Sequence, residues 1–334
     1  MKWPLLFITV LLFSFGCKKE KDKKNSHQTS IFNWLSAEED IISLEIEGDL
    51  NHLFVNRQEA DQYHPASIKI ARGDSLLQFD MELCSRGVTR KKICDFPPIK
   101  LKFPKSNLEA LGFSSLNNYK LVTHCMEQEN ELVLKEYLIY KLFNQLTEKS
   151  FRVKLAKIRY IDKNGKIPDE THFGFIIEGN KELASRLDGQ LIDPTKLKIT
   201  SLDKEQYKKM VVFQYMIANT DWNLSRGHNI KWVQTDNSEV PTPIPYDFDY
   251  CGLVNAPYAV PHPQIPIKNV RQRYLQWRGK SKEELKSTSK KFMTQKGDFL
   301  ETCQEFVSLN DTSKVEMISF LESFFDEVEK GVFL

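Results

Sequence analysis

The feature that most constrains this chain is a change of hydrophobic period near residue 180. Just before it, residues 151–179 read FRVKLAKIRYIDKNGKIPDETHFGFIIEG. A long apolar–polar alternation is turned at Asn164-Gly165 and returns as a second alternating run, which predicts a β-hairpin. Upstream, ISLEIEG, SIKIARG and IKLKF alternate as well, punctuated by the turn sequences GDL, ARGD, SRG and DFPP. One helix interrupts this strand-rich half. Residues 131–147 carry a Leu134, Leu138 and Leu142 stripe and a favourable Glu131–Lys135 pair one turn apart. Beyond 180 the period becomes helical. Asp203 as N-cap, with Gln206 three residues on, opens the helix EQYKKMVVFQYMIAN, which sets Tyr207, Val211, Tyr215 and Ala218 on one face. Residues 281–334 hold two more helical patterns. The last is capped by Ser313 toward Glu316 and buries Val315, Ile318, Leu321, Phe325 and Val328. This order predicts an α+β protein of two lobes with a cleft between them. The strand-rich lobe spans 41–180 and the mostly helical lobe 181–334.

The N-terminus belongs to neither lobe. Lys2 precedes an apolar run over residues 5–15, which is far too short to span a bilayer. Ser14 and Gly16 stand at −3 and −1 to Cys17, and the polar string KKEKDKKNSHQTS follows at once. This resembles a bacterial lipoprotein signal, with 1–16 removed, Cys17 acylated and 17–40 acting as a tether. The implied location is the bacterial cell envelope, lipid-anchored at the outer membrane or cell surface. An uncleaved anchor and a simple secretory signal are the alternatives. Export permits disulfides. Five cysteines follow Cys17, namely Cys84, Cys94, Cys125, Cys251 and Cys303. The count is odd and shows no CxxC spacing, so at least one thiol stays free. Net charge is only +2, with a basic run at residues 18–24 supplying much of the excess. There is no bulk electrostatic case for a nucleic-acid partner.

The chemistry concentrates in residues 219–252, NTDWNLSRGHNIKWVQTDNSEVPTPIPYDFDYCG. Asp221 follows the predicted buried helix, and Asn229 opens the strand NIKWV. If that strand pairs antiparallel with PIPYDFD across the TDNSE turn, Asn229 lies beside Asp247 and Asp249. Alternation then puts both aspartates on one side. Carboxylates and an amide carbonyl are the hard oxygens that Mg²⁺ takes alongside substrate phosphates. Read singly, Asp221 is also good turn sequence, the two aspartates also fit an exposed strand, His228 also fits a structural hydrogen-bonder, and Glu136 also fits a helix surface. Two like charges on one face with Asn229 favour a site.

The ordered set of features resembles the kinase-like family of spore-coat protein H (CotH), itself distantly similar to HipA-like and eukaryotic kinases. The carriers are the SRG turn at 85–87, PPIKLKF, the strand leading into helix 131–147, FIIEG, TDW…HN and PYDFD, over roughly residues 45–255. The chain is also similar to a set of uncharacterised bacterial lipoproteins with strings like YHPAS, CDFPP, LVTHC, SFRV, NTDW and PYDFDYCGLVNAPYA. The resemblance implies a two-lobed protein-kinase-like fold and phosphoryl transfer from ATP, with Mg²⁺ or Mn²⁺, to a protein or other hydroxyl acceptor. By it, Asp221 falls on the catalytic aspartate and Asn229 and Asp247 on metal ligands, with Asp249 a second carboxylate ligand. Glu136 or a neighbour falls on the helix glutamate. Lys102 ranks first for the phosphate lysine and Lys120 second, with Arg86 a bidentate phosphate donor. The chain departs from the pattern in having no GxGxxG loop, and its eight-residue spacing from Asp221 to Asn229 requires the loop to bulge. Two other classes fit the same residues. One is an inactive cell-surface scaffold that binds nucleotide, glycan or peptide. The other is a metal-dependent hydrolase using His124, His228, Asp221, Asp247 and Asp249.

Overall fold

A computed structural model describes residues 28–38, 40–58, 62–87, 89–126, 130–197 and 201–332. The lipidation residue Cys17 and its signal lie outside the described residues. Seven strands close into a barrel: β1 (Ile42–Gly48), β2 (His64–Arg72), β3 (Ser75–Ser85), β4 (Ile99–Lys102), β5 (Asn118–Val122), β6 (Val153–Asp162) and β7 (Glu170–Ile177). Their order around the barrel is β1-β2-β3-β4-β5-β7-β6, and β6 returns to pair parallel with β1 from Ile42 opposite Ala156 to Gly48 opposite Asp162. The other neighbours are antiparallel.

This closure overturns the expectation of a two-lobed protein-kinase-like fold. Alternating patterns specify which face of a strand is buried, not whether the sheet stays open. Here the inward residues of all seven strands meet one another across a lumen that side chains fill. Leu44, Ile46, Ile68, Phe79, Leu101, Leu121, Ile158 and Ile176 belong to this filling, and all are buried.

Short helices contribute side chains to the barrel core. These are α1 (Ile31–Leu35), α2 (Leu50–Val55) and α4 (Lys105–Ala110), which add Ile31, Phe32, Leu35, Leu50, Leu53 and Leu108 to the barrel core. Residues 31–35, expected in the tether, are therefore structural. α3 (Arg90–Ile93) lies between β3 and β4.

The second core packs against the outside of the barrel. The first half of β6 and the second half of β7 are buried on both faces, since Val153, Leu155, Phe175 and Ile177 point outward into it. They meet α5 (Asn130–Leu146), and beyond it lie α6 (Asn180–Arg186), α7 (Lys204–Met216), α8 (Lys286–Thr294), α9 (Lys296–Glu305) and α10 (Asp311–Glu329). This core therefore takes in residues on both sides of 180. A small sheet, β10-β9-β8, completes it, from β8 (Gly189–Ile192), β9 (Ile230–Thr235) and β10 (Thr242–Pro245). β10 is an edge strand, which suits its two prolines.

The two helix-cap readings fare differently. Asp203 does cap α7, accepting from the Gln206 amide at 3.0 Å. α10 begins earlier than Ser313, with Asn310 as its cap accepting from the Ser313 amide at 2.8 Å. Its buried face is Met317, Phe320, Leu321, Phe324 and Phe325, while Val315 is exposed. The aromatic residues supply more burial than the valines, and they set the rotation of the helix.

Candidate functional site

Residues 219–252 fold as two turns joined by the β9–β10 hairpin. Ile230 faces Pro245 in that hairpin, and the Tyr246 amide donates to the Asn229 carbonyl at 3.1 Å. Asn229 therefore sits beside the segment that carries Asp247 and Asp249. The strand does not persist through them, because β10 ends at Pro245 and Asp247 has φ +66°. Asn229 likewise has φ +52°. Left-handed backbone at two non-glycine residues in one small region is a cost that the surroundings must hold in place. Tyr140 of α5 does part of this, its hydroxyl accepting from the Asp247 amide at 2.8 Å. Gly252 does another part. It donates to the Ala218 carbonyl at 3.1 Å, and a Cβ there would stand 2.5 Å from the Val270 oxygen and 2.8 Å from the Ala218 Cβ, so only glycine lets the segment lie this close to the end of α7.

The eight-residue spacing is taken up by a tight loop in which Asn223 and His228 exchange backbone hydrogen bonds. The fold of this loop turns His228 and Asn229 onto one carboxylate. His228 Nε2 lies 3.0 Å from Asp221 Oδ1, and Asn229 Nδ2 donates to Asp221 Oδ2 at 3.0 Å and to the Asp221 carbonyl at 2.8 Å. With its amide nitrogen spent there, Asn229 keeps its side-chain oxygen for another partner. The hydrogen bond from His228 to Asp221 raises the imidazole's pKa, with burial opposing and the Asp221 and Asp247 charges assisting.

Below this lies a buried acidic pair. Asp249 is 6% exposed and accepts from the Tyr258 hydroxyl at 3.2 Å. Burial, then the Asp247 charge, pushes its carboxyl up to about 6, and Asp221 adds to the effect more weakly. Glu136 of α5 is 2% exposed, and its Oε1 is buried with no hydrogen-bond partner among the described residues. Burial, then Asp249 and Asp247, raises it well above the carboxylate range, against the pull of Arg90 and Arg86. The carboxylates of Glu136, Asp247 and Asp249 therefore share one region, and Asp221 adjoins it.

Cations face them. Arg90 of α3 is buried and donates to the Thr123 carbonyl at 2.7 Å. Burial works against its charge, but Tyr258, Asp249, Glu136 and Asp247 outweigh that and hold it protonated. α3 is fixed by a disulfide from Cys94 to Cys125, while Cys84, Cys251 and Cys303 are buried thiols. Lys120 of β5 points out of the barrel toward the cluster. Burial brings its pKa down to about 7, Arg86 pushes the same way, and Asp247 opposes. Lys231 is lowered by burial and supported by Asp247. Both ammonium groups lie over the Tyr246 ring, at 4.1 and 5.0 Å from its centre.

Lys120 also lines a cavity of about 650 Å³ between the outer face of β4 and β5 and the start of α6. Lys100, Lys102, Glu178 and Gly179 line it too. Lys102 reaches away from the acidic cluster, paired to Glu82 at 2.6 Å and 4.7 Å from the Tyr63 ring centre. Asp221, Asn229, Asp247, Asp249, Glu136, Arg86 and Lys120 are thus brought together, and Lys102 stands at the cavity wall. His124 does not join them. It lies with His172 and Glu170 on another part of the barrel wall.

No known family model and no curated protein sequence matches the chain.

The residues that sequence reasoning passed over are Arg90, Tyr140, Tyr258 and Lys231. Arg90 reads as one of a solvated TRKK run. Tyr140 carries a usable signal, since it lies one turn after Glu136 and so shares its face. The donor set fits a divalent cation of the Mg²⁺ or Mn²⁺ type, being carboxylate and amide oxygen with an unsatisfied buried carboxylate behind it.

Proposed function

We propose that the chain is an exported, lipid-anchored phosphotransferase that uses Mg-ATP or Mn-ATP, with chemistry related to that of the CotH family but carried by its residues and not by a two-lobed kinase fold. The observation that carries this reading is the meeting of Asp247, Asp249, Asn229 and Asp221 with Lys120, a lysine that borders both the acidic cluster and a cavity of about 650 Å³. Asp247, Asp249 and the Asn229 side-chain oxygen are the groups for the divalent cation. When bound, that cation neutralises phosphate oxygens and orients them for in-line transfer. Lys120 and Arg86 offer positive charge to the phosphates. Asp221 lies at the exposed rim, where a hydroxyl acceptor can reach it, and His228 and Asn229 hold its carboxylate in one orientation. Its role is to accept the acceptor's proton.

Thermal denaturation and transfer of label from ATP test this together. Mg-ATP or Mn-ATP should stabilise the wild-type chain by at least ~2 kcal/mol at saturating ligand. Asp247→Ala should abolish that stabilisation while leaving the unliganded fold intact. Asp221→Ala should keep the stabilisation and lose transfer of γ-label to the protein itself or to casein, by about 10²–10⁴-fold. Transfer of α-label instead would make it a nucleotidyl transferase. No response to any metal–nucleotide pair would leave a binding scaffold without nucleotide.

Export is supported by the Cys94–Cys125 disulfide, which persists in oxidising compartments. Among the described residues no helix is long and apolar enough to cross a membrane. Anchoring is assigned to a lipid on Cys17, so Cys17→Ser should move the protein from the detergent phase to the aqueous phase. Unchanged partitioning would remove the anchor from the reading.

A further inference from the structure

A second group of ligating side chains lies on the barrel wall, apart from the acidic cluster. Glu170 and His172 are two residues apart on β7 and so share a face. β5 pairs antiparallel with β7, Val122 opposite Phe175, and the chain leaving β5 brings His124 alongside. His172 Nε2 lies 3.1 Å from Glu170 Oε2 and His124 Nε2 lies 3.8 Å from the same oxygen. The two imidazoles stack, with ring centres 3.6 Å apart. We propose that His124, Glu170 and His172 form a zinc-binding site whose fourth ligand, a solvent or substrate oxygen, comes from the adjoining cavity.

Three observations carry this. The first is spacing. Ligand atoms about 2.1 Å from a tetrahedral zinc stand roughly 3.4 Å apart, and the two nitrogen–oxygen distances bracket that value. The ligand atoms of all three residues lie within 4.8 Å of one another, so modest side-chain rotation closes the set. The second is orientation. His124 Nδ1 is 3.1 Å from the Thr123 hydroxyl, which in turn is 2.7 Å from the Tyr160 hydroxyl. A ring nitrogen fixed in this way leaves Nε2 aimed at Glu170, as outer partners of zinc histidines do. The third is unspent capacity. His172 is 9% exposed, and its Nδ1 is buried with no hydrogen-bond partner among the described residues. Among the described residues its hydrogen-bond contact is through Nε2, to the co-ligand Glu170.

Two imidazoles and a carboxylate suit zinc, whereas Mg²⁺ takes hard oxygens alone. A cavity of about 310 Å³ opens beside the group and is lined by His124, Tyr160 and Glu170. Three protein ligands with an accessible fourth position is the arrangement of a reactive zinc, not of a closed structural one.

The test uses the full chain in the Asp247→Asn background, which silences the acidic cluster. Chelator-stripped protein is titrated with Zn²⁺ by calorimetry and with Co²⁺ by visible absorption. One equivalent of each should bind, with Co²⁺ bands typical of nitrogen–oxygen coordination. Glu170→Gln should weaken zinc at least ~10-fold. Glu170 is 35% exposed at its side chain, so this variant should fold. His172→Asn should remove binding altogether, and if that variant does not fold, Glu170→Gln decides alone. Failure of the Asp247→Asn protein to bind zinc, or unchanged affinity in Glu170→Gln, overturns the site. Neither outcome touches the ATP reading, whose test is made with Mg²⁺ on Asp247.

Discussion

Lys120 shows how a single residue can link folding to ligand binding. Its ammonium is partly desolvated beside Arg86, and its pKa falls to about 7. An unfolded lysine titrates near ~10.4. Between those values the unfolded chain holds the extra proton, so this residue makes stability rise as pH rises across that window. Below about pH 7 both states are charged and the whole burial cost is present. Lys120→Met should therefore stabilise the unliganded protein by up to about 4–5 kcal/mol at about pH 6, with the gain fading toward about pH 10, as read by thermal melts over that range. In the wild-type chain phosphate should restore the charge, so ATP binding at about pH 8 should take up a proton, seen as a buffer-dependent calorimetric enthalpy. A pH-independent effect of the substitution would contradict this account. The sequence ranks Lys102, which shares one face of a strand with Lys100, just ahead of Lys120, which sits just before the helix. What separates them is tertiary. Lys102 finds Glu82 across the β3–β4 pair, and Lys120 finds Asp247 from a segment far along the chain.

At the scale of elements, α5 is the piece that ties the site to the barrel. One face packs on β7, and Glu136 and Tyr140, one turn apart, present their polar atoms to the Asp247 segment. Tyr140→Phe leaves the Asp247 amide without its acceptor, and Asp247 already sits at φ +66°. That loss should cost about 1–3 kcal/mol in urea denaturation with the slope unchanged, and Mg-ATP stabilisation should fall with it. A Tyr140→Phe protein as stable as wild type would show that the amide has found another partner. The helix itself is readable from its leucine stripe, as are the hairpin of β6 and β7 and the Asp203 cap of α7. Periodicity reports burial along one element. It does not report that α5 is buried on nearly every side, because Lys135 and Glu136 look like surface residues until Glu316 and the acidic cluster are brought to them. For the same reason α10 reads with its face rotated, and the strand through Asp247 reads as unbroken.

At the scale of the whole molecule, one covalent link and one strand pairing hold distant parts of the chain. The Cys94–Cys125 disulfide fastens α3, and with it Arg90, to the segment that follows β5. Cys94→Ser with Cys125→Ser should lower stability by roughly 3–4 kcal/mol for a loop of this length and weaken Mg-ATP binding further than a distant substitution of equal cost. An unchanged denaturation midpoint would count against the link. Barrel closure is beyond the reach of sequence reading, since no local pattern states which strand β1 will meet. That meeting also sets an order of events. β1 is made early, and its parallel partner β6 follows roughly 110 residues later, a separation that makes closure a slow, non-local step. Until then β1 keeps an unpaired edge and an apolar row of Ile42, Leu44 and Ile46. If the chain is exported as proposed, it crosses with that edge open, and a holdase that shields nascent strands should raise the yield of folded protein, whereas one added only after β6 has arrived should not.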